Sequence, residues 1–188
     1  PVNKHTMVIS PTHSPQHAPA PLTCVSILPI DERILAGTVS PVKTANSWNA
    51  DGTEYSVTYT ASSKVIGSLL RDLYPRTGKP GGAFESDLLA ARRLPDGTIR
   101  PPVTTIIVSD WPAPGIGMPA LLTHDDVVTF FHEFGHCMAG LLAQVPYESL
   151  SGFSQDFVEA PSPMLENFTW DPAVIKKISS SIETGDPM

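Results

Sequence analysis

Phe131-His132-Glu133-Phe134-Gly135-His136-Cys137 (FHEFGHC) is the stretch on which the reading of the whole chain turns. His132 and His136 are four residues apart. On an α-helix four residues rise about 6 Å and turn about 400°, so both imidazoles leave the same face and can hold one ion. Glu133 follows the first histidine and can reach a metal-bound water without taking a coordination position. Two histidines and an adjacent glutamate on one helix form the pattern by which zinc peptidases activate water.

The flanks support a buried helix. Phe130, Phe131, Phe134 and Leu141 surround the motif. Thr123 is a good N-cap, with Asp126 three residues on, so the spacing predicts a helix from Thr123 to about Ala143, before Pro146. Gly135 costs an interior helix about 1 kcal/mol against Ala, which suggests the close approach of another group. A catalytic zinc site needs a third protein ligand and one open position. Glu159, 27 residues beyond His132, is the candidate, and Asp156 competes by position alone. Asp125 lies seven residues before His132 and Glu166 seven beyond Glu159. Either carboxylate is placed to orient a ligand histidine through its free ring nitrogen.

Upstream of the helix the period changes. Tyr55, Val57 and Tyr59 alternate with polar residues, and Lys64 to Tyr74 carries Val65, Ile66, Leu69, Leu70 and Leu73 around a weak point at Gly67. These read as a hairpin of two strands. Val103 to Val108 (VTTIIV) is β-branched throughout, the clearest strand of the chain. Phe84 to Arg93 suits a strand or a short helix. Loops are expected at Pro75 to Gly82 and Pro112 to Pro119, a turn at Asp96-Gly97, and helices near Ala160 to Phe168 and Pro172 to Glu183. The expected fold is α+β and zincin-like: a small, largely antiparallel sheet, then the metal helix, then further helices. Residues 1 to 40 carry Pro1, Pro11, Pro15, Pro19, Pro21 and Pro29 and read as a poorly ordered arm, with the core at 41–188. The arm's His5, His13 and His17 read as bystanders. Gly81 to Phe84 and Thr104 to Val108 are candidate sheet edges for an extended peptide.

Composition narrows the partners. With 188 residues, 41% of them hydrophobic, the chain is large enough to bury a core. A formal net charge of −7 argues against nucleic acid, which needs clustered Lys and Arg. No stretch approaches the roughly 18 apolar residues of a membrane span. Two distant cysteines, Cys24 and Cys137, make no disulfide framework and favour a reducing compartment.

The chain resembles the thimet oligopeptidase family, which includes oligopeptidase A and bacterial peptidyl-dipeptidases. The similar stretches are Leu73 to Lys79 (LYPRTGK), Pro119 to Asp125 (PALLTHD), Phe131 to His136, Ser151-Gly152 and Asp156 to Asn167 (DFVEAPSPMLEN). The last run is far more particular than HExxH alone. The resemblance implies one zinc ion on His132, His136 and Glu159, with Glu133 as general base. It also implies cleavage of short peptides, a mostly cytoplasmic setting, and a substrate-bordering loop at Ser151, Gly152 and Phe153. Pro163 stands where the family usually has Gln, a position proline tolerates only in a first helical turn. Family members continue past the point matching Met188, and that continuation supplies substrate-binding His and Tyr. All four tyrosines here (Tyr55, Tyr59, Tyr74, Tyr147) precede Glu159. The 188 residues alone are therefore expected to bind metal with weak or no turnover, and the alternative function is a non-catalytic metal-binding remnant.

Overall fold

The computed structural model of the chain describes residues 7–8, 37–42, 48–49, 51–114, 120–143, 145 and 147–179. Alternation builds the sheet. β1 (Met7–Val8) and β2 (Gly37–Pro41) come from the proline-rich segment. β3 (Thr53–Tyr59) buries Tyr55 and Val57, and β4 (Val65–Asp72) returns antiparallel with Leu69 opposite Tyr55. These two strands are the expected hairpin. β2 pairs antiparallel with β3 on its other side. β5 (Ala83–Leu89), β6 (Arg92–Arg93), β7 (Ile99–Arg100), β8 (Val103–Val108) and β9 (Leu121–Leu122) follow.

The main sheet has the order β2-β3-β4-β8-β5. Its β4–β8 pairing is parallel and the other three are antiparallel, so the sheet is mixed. β1 with β9 and β6 with β7 form two small antiparallel pairs. The ambiguous run after Phe84 is a strand. It fills the side of β8 that β4 leaves open, and in doing so it covers one of the two candidate edges. Thr104 to Val108 has neighbours on both sides, so of the two candidates only the segment that begins β5 lies at an edge of the sheet among the described residues, the opposite edge being β2. Within the expected arm, Gly37–Ser40 pair with β3 in the main sheet, and Met7–Val8 pair with Leu121–Leu122 in a separate two-stranded ladder. The rest of the expected arm, His5, His13 and His17 included, lies outside the described residues.

α1 (His124–Leu142) crosses this sheet. Thr123 caps it: its hydroxyl accepts from Asp126 N at 3.2 Å while Thr123 N donates to the Asp126 carboxylate at 2.7 Å, closing a capping box. Val127, Phe130, Phe131, Phe134, Cys137, Met138 and Leu141 recur at helical spacing and are buried against Tyr55, Val57, Leu69, Ile106 and Val108. Each fully buried side chain of this kind contributes about 1.5–3 kcal/mol, so this face fixes the helix on the sheet. Gly67 is where the two meet. A Cβ there would lie 2.3 Å from Leu141 Cδ2 and 2.8 Å from Pro102 O, so the residue that weakens β4 also admits the helix.

α2 (Pro161–Glu166) packs along α1, continues as a 3-10 turn over Asn167–Trp170, and gives way to α3 (Pro172–Ile178). Pro161 and Pro163 are the first and third residues of α2, where a missing N–H breaks no helical bond. Asp171 caps α3 by accepting from Ala173 N at 2.7 Å. The chain is α+β, with a small mixed sheet and three α-helices among the described residues. None of these helices is long and apolar enough to cross a membrane.

Candidate metal centre

His132 and His136 sit on the side of α1 that carries α2, with their rings 5.0 Å apart and partly exposed. A series of turns after Ser154 brings Glu159 to them. Ser154 O accepts from Phe157 N and Val158 N, and Phe157 O from Ala160 N. Glu159 Oε2 lies 3.3 Å from His132 Nε2 and 3.1 Å from His136 Nε2. Bonds of about 2.0–2.1 Å in tetrahedral geometry separate any two ligand atoms by about 3.3–3.4 Å, so two nitrogens and one oxygen stand at the spacing of one shared ion. All three ligand atoms fall within 4.8 Å of one another. The donor set therefore fits a divalent metal. Asp156, the positional competitor, is exposed and outside this cluster. The Glu159 side chain is 65% exposed, which leaves the cluster open to solvent on that side.

The second carboxylate fixes the ring. Glu166 Oε1 lies 2.6 Å from His132 Nδ1. An ionised carboxylate only accepts, so Nδ1 carries the proton and the Nε2 lone pair points toward Glu159. Of the two acids picked by spacing, Glu166 meets a ring. Asp125 lies exposed in the first turn of α1, with no bond to either histidine among the described residues. Spacing did not single out Ser162. Its buried hydroxyl donates to Glu159 O at 2.9 Å and to Glu159 Oε2, the oxygen that faces both histidines, at 3.1 Å. The signal was present: a serine three residues after an acid, opening a helix. Ser151, Gly152 and Phe153 form an accessible loop, with Ser151 Oγ donating to Glu148 O at 2.6 Å and Phe153 against Phe157 at 5.6 Å. No hydrogen bond joins this loop to the three ligand candidates among the described residues.

Gly135 sets the distance between the two helices. A Cβ there would lie 2.6 Å from Ser162 Cα and 2.7 Å from Pro161 O. Contact at that range requires backbone against backbone, and only Gly allows it. The close approach expected from the sequence is made by the start of α2.

Glu133 is buried on α1 near the edge strand, close enough for its charge to act on Glu85 of β5. Burial pushes Glu85 from an ordinary 4.5 up to about 7. The Thr104 hydroxyl, donating to it, opposes that rise, and Asp87 and Glu133 add to it. Burial likewise pushes the Cys137 thiol well up, leaving it protonated and unreactive. Glu85 gives a pH prediction. Its folded value lies above its unfolded one, so the fold binds the extra proton. Stability from this group is full below about 4.5 and is lost as pH rises toward 7. In chelator, Glu85→Gln should have a higher urea midpoint than the wild type at pH 8, with the gap closing near pH 5. A gap of constant size would contradict the raised value.

The model of peptidase family M3 matches residues 2–188. Oligopeptidase A of Escherichia coli is 36% identical over 160 residues, covering 84% of this chain and 23% of that protein. Thimet-like oligopeptidase of Dictyostelium discoideum is 40% identical over 131 residues, covering 68% of this chain and 19% of that protein. Saccharolysin of Saccharomyces cerevisiae is 36% identical over 148 residues, covering 77% and 20%. The chain thus spans about a fifth of the length of the curated relatives it matches.

Proposed function

The chain belongs to peptidase family M3, and from that premise we propose that it is the metal-bearing, zincin-like part of a zinc peptidase acting on short oligopeptides in the cytoplasm. His132, His136 and Glu159 would hold one zinc ion. Bound there, zinc would supply a Lewis acid that lowers the pKa of water to about 7. Glu133 takes the proton of the attacking water and hands it to the leaving amine. Its burial beside β5 limits competing solvent and keeps the carboxylate near the reacting bond. Glu166 holds His132 in the Nδ1–H form, and Ser162 holds the Glu159 carboxylate. The free edge of β5, beginning at Ala83, offers main-chain groups to an extended peptide, and Ser151, Gly152 and Phe153 would border it.

The observation that carries this reading is the pair of distances, 3.3 and 3.1 Å, from one Glu159 oxygen to both imidazole Nε2 atoms. The names of the relatives, which are peptidases of oligopeptides, support the substrate class. Cleavage of a short quenched fluorescent peptide tests it. The cleavage, expected to be weak from these 188 residues alone, should vanish in chelator and return with added zinc. Cleavage that survives chelation would contradict the reading. Stoichiometric zinc with no cleavage would favour a non-catalytic metal-binding module instead.

A further inference from the structure

We propose that His124, the first residue of α1, is a positioning residue for the metal centre, acting through Thr169 and Glu166. The inference rests on His132, His136 and Glu159 being the metal ligands. His124 Nε2 lies 3.0 Å from Thr169 O, so this nitrogen carries a proton and donates it. The same ring meets Trp170 edge-on at 4.3 Å. Thr169 is buried, and its hydroxyl donates to Glu166 O at 2.7 Å. Glu166 then accepts from His132 Nδ1 at 2.6 Å. A continuous chain of contacts runs from the start of α1, across the 3-10 turn, to the imidazole that faces the ion.

The order of contacts shows what the chain of bonds does. Along α1, Gly135 touches Pro161 and Ser162, His132 touches Glu166, and His124 touches Thr169. The second segment therefore runs back along the first, pinned at both ends with the Glu166–His132 bond between them. His124 and His132 are about 12 Å apart along the helix axis, so His124 cannot reach the ion itself. Its effect must pass through the segment it pins. Without it, α2 and its 3-10 extension keep the Gly135 contact and the apolar packing of Leu165 and Phe168 but lose their polar tie at the start of α1, and the Glu166 carboxylate is held less firmly on Nδ1. A ligand histidine whose partner is loosened loses both its tautomer and its ring orientation.

Competition for zinc against a chromophoric chelator, on the full chain, gives the first readout. His124→Ala should weaken zinc binding about tenfold, the low end for an outer partner of a ligand. His124→Gln, which keeps a side-chain N–H donor, should recover most of the loss. In a Glu166→Gln background, His124→Ala should add less than about twofold, because the relay is already cut. The second readout needs no metal: ¹⁵N shifts of the His132 ring in chelator. The wild type should show one Nδ1–H tautomer and His124→Ala a mixture. If His124→Ala folds poorly, Thr169→Val, which removes only the hydroxyl link to Glu166, should show the same tautomer mixture. Unchanged zinc affinity with an unchanged His132 tautomer overturns the proposal, as does a loss that simply adds to that of Glu166→Gln. A wild type that binds no zinc overturns the metal reading instead, and the His132 signals still decide the brace.

Discussion

Gly135→Ala is expected to destabilise the chain by about 1–3 kcal/mol and to remove most of its zinc affinity. In an isolated helix the same change would stabilise by about 1 kcal/mol, so two effects of opposite sign compete. Distance decides between them. The new methyl would stand 2.6 Å from Ser162 Cα, 2.7 Å from Pro161 O and 2.9 Å from Pro161 C. These are backbone atoms, and no side-chain rotation relieves them. α2 must move away from α1, and Glu159 and Glu166 move with it. The 2.6 Å bond from His132 to Glu166 and both approaches to Glu159 Oε2 lengthen together. Thermal unfolding in chelator should show a midpoint lower by about 2–4 °C per kcal/mol for a chain of this size. Zinc titration should show affinity at least tenfold weaker. A variant that melts and binds like the wild type would mean that the helices do not touch at Gly135.

Glu133→Gln is expected to keep zinc and lose hydrolysis. The amide has nearly the same shape as the carboxylate but cannot take a proton, so catalysis should fall about 10²–10⁴-fold, the usual contribution of a positioned general base. Folding should not suffer. Glu133 is buried, and its charge pushes up Glu85, so a neutral side chain relieves repulsion. The variant should carry the same metal content as the wild type and melt no lower. Retained zinc with unreduced, chelator-sensitive cleavage would remove Glu133 from the mechanism. Lost zinc would mean that the residue shapes the site and that its rate effect is indirect.

What was legible in the sequence follows from how far each signal reaches. The 3.6-residue period and the Thr123 cap describe a single helix, and α1 begins at His124 as that cap requires. Spacing within the helix likewise put His132 and His136 on one face. Relations between elements were harder to read. Asp156 and Glu159 were both possible third ligands by position, and the resemblance, not the spacing, chose between them. Asp125 and Glu166 looked alike as partners at a distance of seven residues. Only the fold of α2 back along α1 separates them, and that depends on the Gly135 contact with Pro161 and Ser162. The strand at Ala83–Leu89 was indistinct because its identity comes from β8, whose open side it occupies. The parallel β4–β8 pairing left no local mark, since the connection between the two strands runs through β5. Ser162 and His124 escaped notice for a related reason. Their partners are a ligand's own carboxylate and a backbone oxygen 45 residues away, and neither relation has a periodicity.

The central claim is that His132, His136 and Glu159 share one cation. Elemental analysis of the purified chain after loading with zinc and removal of the excess tests it most directly, with Glu159→Ala alongside. The wild type should carry one zinc per chain, and the variant, left with two imidazoles and no carboxylate, should lose nearly all of it under the same wash. Equal zinc in both proteins, or none in the wild type, would contradict the account.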